Sequence, residues 1–283
     1  MTRSSFRPPA PAPWAPVVAL APRTRARRLL RSALPRRLAR VVLARTPGEF
    51  ARMLHEELVD AAVVDLQAGD AAWQALTLAR TLPSVPFFAL AAPWPGDAAH
   101  VGRAAGEGDV VDVFLDGVDD AALAALMAPH RLTRRFATAL REPPPQLQLG
   151  TPAQRAVWRR VLARAWRPLT TATLAADFGV SREHLSRTFA SGGAPTLKRV
   201  IDLVRVCLAA ELAKNPAHDV GDVARLLGFA SASHLAVTTQ RVVGTRPSSL
   251  ARLRTVDLVE RFVAAMPRHA HADRSSHRSA SAR

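Results

Sequence analysis

The chain has 283 residues and is 48% apolar, which suffices for two folded domains, and its single cysteine excludes an internal disulfide. No apolar run reaches the roughly 20 residues of a membrane span, and the first residues lack the apolar core of a signal peptide, so we expect a cytoplasmic protein. The formal net charge of +16 is unevenly spread: residues 1–45 hold eleven arginines and no acid, residues 46–140 are net acidic and residues 151–254 are net basic. A basic part beside an acidic one fits a phosphate-binding module joined to a non-binding module.

The first half of the chain alternates short apolar strands with helices. Residues 1–14 are rich in proline and are predicted to be disordered, and residues 15–140 are predicted to form the first domain. Strands are predicted at 17–21, 39–44, 61–66, 86–92 and 110–115. A helix follows each of them, and the last helix starts near Asp119 and can extend to Leu140. Continuous apolar strands alternating with helices predict an α/β fold, a doubly wound parallel sheet covered on both faces.

The element order and the sequence VVDL at the third strand resemble a CheY-like receiver domain of the flavodoxin-like type. The resemblance implies a phosphate-accepting aspartate at Asp65, helped by an acidic pair after the first strand, a hydroxyl after the fourth and a lysine after the fifth. Instead, Arg23 follows the first strand, alanines end the fourth, and Asp116 follows the fifth. Without metal ligands, Asp65 has nothing to offset the charge of a phosphoryl group. We therefore expect a degenerate receiver in which Asp65 is structural, and keep phosphorylation of Asp65 as the alternative.

The second half is predicted to be a separate all-helical domain. Residues 141–150 contain three consecutive prolines, which predict a semi-rigid linker between the domains. Residues 151–266 show two pairs of short helices, each with a glycine at the turn (Gly179 and Gly228), on either side of a long apolar helix that contains Cys207. Two short helices joined by a glycine-centred turn are typical of the helix-turn-helix, whose second helix enters the DNA major groove. Residues 267–283 are predicted to be a disordered basic tail.

Three segments carry a family resemblance: LAADFGVSREHLSRTF, a connecting helix with Arg205, Ala209 and Leu212, and VARLLGFASASHLAVTTQRVVGTRPSSL. Over roughly residues 151–254 they resemble the DNA-binding domain of AraC/XylS-type bacterial transcription regulators. The resemblance implies binding to double-stranded DNA and contact with RNA polymerase, with no catalytic residues, metal or cofactor. The chain departs from the family at two core positions of the second recognition helix, where Leu235 and Thr239 replace aromatic residues. Thr239 is expected to weaken this core or to turn its hydroxyl toward a backbone carbonyl.

The first recognition helix offers the better side chains for reading bases. Leu185 and Phe189 are spaced to face the core, which leaves the opposite face to the candidate base-reading residues Arg182, Glu183, Ser186 and Arg187. Arg187 is the strongest candidate, because a guanidinium can donate two hydrogen bonds to guanine, and Glu183 can accept from a cytosine amino group. For Arg182 we favour a phosphate contact, since most protein–DNA contacts go to the backbone.

The second recognition helix is expected to expose short, mostly apolar side chains, with Ser233 and His234 as its hydrogen-bonding groups. We therefore expect the first unit to supply most base specificity, and the second to supply position and shape readout. Candidate phosphate contacts are Arg155, Arg159, Arg167, Arg241 and Arg246, and Arg160 falls on the same face as Arg155 and Arg159. The receiver-like domain is expected to sense a signal, to form a homodimer, or both. An enzyme is disfavoured, because Gly106-Glu107-Gly108 is no phosphate-binding loop and the strand ends lack a set of acid, base and nucleophile.

Overall fold

The N-terminal domain is built on five parallel strands. The computed structural model describes residues 15–94, 98–107 and 109–266, so the predicted disordered ends lie outside the described residues. The strands are β1 Pro16–Leu20, β2 Arg40–Ala44, β3 Ala61–Asp65, β4 Phe87–Ala91 and β5 Asp112–Leu115, in the sheet order β2-β1-β3-β4-β5. Each is paired in parallel with its neighbour, and the predicted parallel sheet is confirmed.

Helices cover both faces of this sheet. The helices of the N-terminal domain are α1 Thr24–Ala33, α2 Pro47–Glu56, α3 Asp70–Leu76, α4 Ala98–Glu107, α5 Leu123–Met127 and α6 Leu132–Ala139. Helices α2, α3 and α4 pack on one face through Phe50, Leu54, Leu76 and Ala104, and α1 and α5 pack on the other through Leu30, Leu123 and Met127. Successive residues of a strand point to opposite faces of the sheet. Since helices cover both faces, every residue of β1 is buried. The doubly wound α/β fold is therefore confirmed.

The helix that starts after β5 does not continue to Leu140 as the sequence allowed. It ends at Met127, and a separate helix, α6, begins at Leu132, where Asp60, the residue before β3, accepts hydrogen bonds from the first turn. The buried Asp60 carboxylate accepts hydrogen bonds from the Thr133 amide (2.7 Å), the Thr133 hydroxyl (2.8 Å) and Arg131 Nε (2.6 Å). The start of α6 is thereby fixed to the sheet.

The C-terminal domain is all-helical. Its helices are α7 Pro152–Arg164, α8 Thr171–Phe178, α9 Arg182–Phe189, α10 Leu197–Leu212, α11 Val220–Leu226, α12 Ala232–Val243 and α13 Thr255–Ala264. Helix α10 is buried along nearly its whole length and joins the two helix-turn-helix units, α8–α9 and α11–α12. Its Cys207 is in the core as predicted, and burial raises the pKa of this thiol to about 12. Among the described helices, none is long and apolar enough to cross a membrane.

One apolar core continues from the C-terminal domain into the N-terminal domain. Leu132, Phe136 and Leu140 pack with Trp158, whose Nε1 donates a buried 2.7 Å hydrogen bond to the Leu140 carbonyl. The segment predicted as a linker contributes to the same core, because Leu147 and Leu149 are buried. The domain boundaries stay a prediction, but Leu147 and Leu149 attach the predicted linker to the helices.

The second helix-turn-helix unit also contacts the N-terminal domain directly, in a region that we call the seam. The guanidinium of Arg225 on α11 donates to the carbonyl oxygens of His55 (3.0 Å) and Glu56 (3.1 Å) at the C-terminal end of α2. These carbonyls are the negative end of the helix dipole, which favours a cation. Asn215 Oδ1 accepts from the amide of Ser84, and the ring of His218 lies edge-on to His55 at 5.9 Å. The seam therefore fixes α11 against α2.

Candidate nucleic-acid interface

The first helix-turn-helix unit is formed by local capping. The hydroxyl of Thr170 accepts from the Thr173 amide, which starts α8, and Leu174 and Phe178 turn inward. Gly179 ends the helix in the left-handed conformation, with φ of 65°. Two residues later, the hydroxyl of Ser181 accepts from the His184 amide at 3.1 Å and starts α9. The turn that the sequence predicted is therefore present, with Gly179 ending α8 and Ser181 starting α9.

The second unit repeats this arrangement with different residues. Asp219 caps α11 by accepting from the Asp222 amide, and Ser231 caps α12 by accepting from the His234 amide at 3.1 Å. Gly228 lies between the two helices with φ of 64°, and a Cβ atom there would lie 2.6 Å from Pro168 Cγ. Glycine is thus required at this turn both for its backbone conformation and for the close approach of Pro168.

The exposed face of α9 carries the predicted base-reading side chains. Leu185 and Phe189 are buried as predicted, while Arg182, Glu183 and Arg187 are exposed and Ser186 is half-buried. Arg182 Nε lies 3.1 Å from Glu183 Oε1. The pKa of Glu183 is lowered by a backbone hydrogen bond at the start of α9 and then by Arg182, so this residue is an anion on the face. The face therefore combines two guanidinium groups, a carboxylate and a hydroxyl.

The exposed face of α12 is much less polar. Ala232 and Ser233 are exposed, Ala236 is half-buried, and Val237 is 64% exposed. The ring of His234 lies edge-on to Phe229 at 5.5 Å, and its Nδ1 is 3.4 Å from the Ala230 amide. His234 is therefore partly engaged with the turn, and its contact with a base stays a prediction, as does that of Ser233.

All five predicted phosphate-binding arginines are exposed: Arg155, Arg159, Arg167, Arg241 and Arg246. Arg167 lies over the ring of Trp166 at 4.3 Å. Arg241 is bound to Asp202 of α10 at 2.8 Å. Arg160 is different from its predicted neighbours: it is buried, and its Nε lies 2.8 Å from Asp177 Oδ2, so it joins α7 to α8 instead of facing phosphate.

The C-terminal units match a known protein family. The family model described as "Helix-turn-helix domain" matches residues 174–252, which run from within α8 to just after α12. Residues 174–252 form a helix-turn-helix domain. No curated protein gives a significant match to the chain. Among solved structures, full-length FixJ from B. japonicum is similar at 14% identity and a TM-score of 0.37, over 76% of this chain and 96% of FixJ.

Opposite the seam, at the carboxyl edge of the sheet, Asp65 is paired with arginine. Arg23 binds it through two nitrogens, with Nη2 2.7 Å from Oδ1 and Nε 2.9 Å from Oδ2. Arg23 Nη1 also lies 3.2 Å from Asp116 Oδ2, and Arg25 Nε lies 2.7 Å from Asp116 Oδ1. The hydrogen bond to Asp65 contributes most to raising the pKa of Arg23. A guanidinium thus binds both buried carboxylates at the edge where the receiver resemblance implies a metal ion.

Sequence reasoning missed three residues around these sites. In the sequence, Arg23 stood out only because a receiver domain has an acidic residue after its first strand. Parallel strands bring their carboxyl ends to one edge of the sheet, and this places Arg23 beside Asp65 and Asp116. Lys198, in the first turn of α10, lines a groove of the helix-turn-helix domain together with Arg182, Glu183 and Ser186. Asp202, one turn later, binds both Lys198 and Arg241. A lysine and an aspartate four residues apart on a helix were the available signal for this pair.

Proposed function

We propose that the chain is a sequence-specific DNA-binding transcription regulator of the AraC type. The observation that carries this proposal is the helix-turn-helix domain, whose α9 exposes Arg182, Glu183 and Arg187 on the side opposite its core. A helix with such a face reads base edges in the major groove, while the surrounding arginines bind phosphates. Contact with RNA polymerase and dimerisation through the N-terminal domain belong to the same proposal, which assigns the chain no catalytic step.

The two units have different roles in this proposal. Unit α8–α9 supplies most of the base specificity, because its exposed face is polar and charged. Unit α11–α12 supplies position and shape readout, because its face consists mainly of Ala232, Ala236 and Val237. Selection from random duplexes, followed by binding titrations on the selected site and its single-base variants, tests the function. Failure to enrich any sequence would refute sequence-specific binding.

Arg187 is expected to contribute more to specificity than any residue of α12. Arg187→Ala should weaken binding to the selected site by about 1–3 kcal/mol and relax the choice of base at one position. Ser233→Ala, the matched control on α12, should cost much less and leave base preference unchanged. Titrations on the site variants measure both effects. Equal losses for the two variants would contradict the proposed division between the units.

The N-terminal domain acts without phosphate chemistry in this proposal. Arg23 already neutralises Asp65, and the carboxylate has no exposed surface from which to attack a phosphoryl donor. The alternative is a response regulator that is phosphorylated at Asp65. Incubation with acetyl phosphate and Mg²⁺, followed by intact mass measurement, separates the two: we expect no added phosphoryl group. An adduct that is lost in Asp65→Ala would favour the alternative.

The seam is the proposed route by which the N-terminal domain influences DNA binding. It connects α2 and the turn at Ser84 to Asn215, His218 and Arg225, next to the second helix-turn-helix unit. A ligand or a second copy that shifts α2 would shift α11 with it, and α11 packs against α12. Arg225→Ala removes the hydrogen bonds to α2 and should weaken this coupling while the base-reading face of α9 stays unchanged.

A further inference from the structure

Asp202 lies on the buried helix α10, between the two helix-turn-helix units. Its side chain is only 12% exposed, and its Oδ2 is 2.8 Å from Arg241 Nη2 and 3.4 Å from Lys198 Nζ. Arg241 belongs to the last turn of α12, and Lys198 lies next to α9 in the groove with Arg182 and Ser186. One carboxylate therefore binds two cations, each beside a different recognition helix.

Both cations are exposed beside the recognition helices, Lys198 next to α9 and Arg241 on α12. The Lys198 side chain is 70% exposed and that of Arg241 is 47% exposed, so each has room to bind a phosphate oxygen. Arg205, one turn beyond Asp202, is different: it donates to the Leu227 carbonyl at 2.7 Å, and its guanidinium lies 4.1 Å from the centre of the Phe229 ring. Arg205 therefore supports the second turn, and Lys198 and Arg241 remain as the cations for which Asp202 and DNA compete.

We propose that Asp202 restrains DNA binding by competing with DNA phosphates for Lys198 and Arg241. This inference rests on the proposed function. Loss of its cationic partners destabilises a buried carboxylate more than an exposed one, because few water molecules can solvate the buried charge in their place. Non-specific DNA gains mainly phosphate contacts, so it bears the full cost of this competition. Specific DNA makes the same phosphate contacts and adds base contacts from α9, so Asp202 weakens both kinds of binding, and the same cost is a larger fraction of the weaker, non-specific binding free energy. Asp202 is thus a positioning residue for both cations.

A purely structural role for Asp202 makes the opposite prediction. If its carboxylate served only to hold α12 against α10, its loss would loosen the second unit and weaken binding to all DNA. The number of ions released on binding would not rise. The salt dependence of affinity therefore separates the two roles, since its slope reports how many phosphates the protein neutralises.

The test uses full-length Asp202→Asn, which keeps the shape of the side chain and removes its charge. Affinity for a random-sequence duplex is measured from low to moderate salt. We expect binding at low salt to tighten about fivefold, and the slope of log K against log salt to steepen by about one. Glu211→Gln is the matched control: Glu211 lies on the same helix, 2.6 Å from Lys214, and the substitution changes the net charge equally. This control should leave the slope unchanged.

Two further variants identify the cations. In an Arg241→Ala or Lys198→Ala background, Asp202→Asn should lose a large part of its effect, because one of the released cations is gone. Asp202→Glu should restore the wild-type slope. A slope that stays at the wild-type value in Asp202→Asn, together with weaker binding and a lower Tm, would overturn the inference while the proposed function stands. Wild-type protein that binds no duplex at all would refute the proposed function itself.

Discussion

Thr239 is buried in the second recognition helix without a partner for its hydroxyl. It has no exposed surface, and its Oγ1 has no hydrogen-bond partner among the described residues. The expectation that the hydroxyl turns toward a backbone carbonyl is therefore not met among these residues, and the weakened core stays a prediction. A partly open pocket of about 260 Å³ in the same unit is lined by Val223, Leu235 and Leu250 but not by Thr239.

Replacing Thr239 by valine should stabilise the protein. Valine has nearly the same shape and removes the cost of a buried hydroxyl without a hydrogen bond, so Thr239→Val should raise the free energy of unfolding by about 1 kcal/mol. Urea denaturation measures this change. Thr173→Val is the control with the opposite sign, because the Thr173 hydroxyl bonds to the amide and carbonyl of Thr170. Destabilisation by Thr239→Val would mean that its hydroxyl has a partner.

At the scale of elements, the packing of α11 against α2 makes the seam sensitive to pH. His218 is faced by His55 and the Leu54 backbone from α2, and by Asn215, Asp222 and Arg225 from its own domain. Burial is the largest cause that lowers the pKa of His218, followed by the neighbouring His55. Folding therefore favours the neutral imidazole of His218.

Acid should weaken the protein through His218. The unfolded chain takes up this proton near pH 6.5 and the folded chain does so at a lower pH, so the stabilising contribution is complete above pH 6.5 and is lost as the pH falls below it. Tm measured from pH 7.5 to 5 should decline less steeply in His218→Gln than in the wild type. His184→Gln, which changes an exposed histidine of α9, should decline as the wild type does. Equal declines for wild type and His218→Gln would contradict the prediction.

At the scale of the molecule, the two domains share a core, which the sequence did not reveal. The strands and the helix-turn-helix units could be predicted because apolar runs, capping residues and turn glycines are local signals. The seam could not, because Arg225 meets His55 and Glu56, and Ser84 meets Asn215, across distant parts of the chain with no periodic pattern. The pairing of Asp65 with Arg23 was missed although both residues follow or end strands whose carboxyl ends meet at one edge of the sheet. The base and phosphate contacts stay predictions.

The shared core predicts that the chain unfolds in one step. Two domains joined by a free linker would melt separately, but Leu132, Phe136 and Leu140 belong to the same core as Trp158. Scanning calorimetry should therefore show a single transition, with the calorimetric enthalpy equal to the van't Hoff enthalpy. Two resolved transitions would show that the domains fold independently and that their interface contributes little.

The attachment of α6 at both ends also determines where this protein can be recombined with others. Its first turn is held by Asp60 of the sheet, and the Leu140 carbonyl just beyond its last turn is held by Trp158 of the DNA-binding part. In a chimaera joined before Arg131, Asp60 would lose its hydrogen bonds from Arg131 and Thr133. In one joined after Leu140, Trp158 would lose the Leu140 carbonyl that accepts its hydrogen bond. Exchange of the N-terminal domain by simple fusion at the prolines would therefore yield unstable hybrids, unless α6 and both of its anchoring residues, Asp60 and Trp158, are moved together.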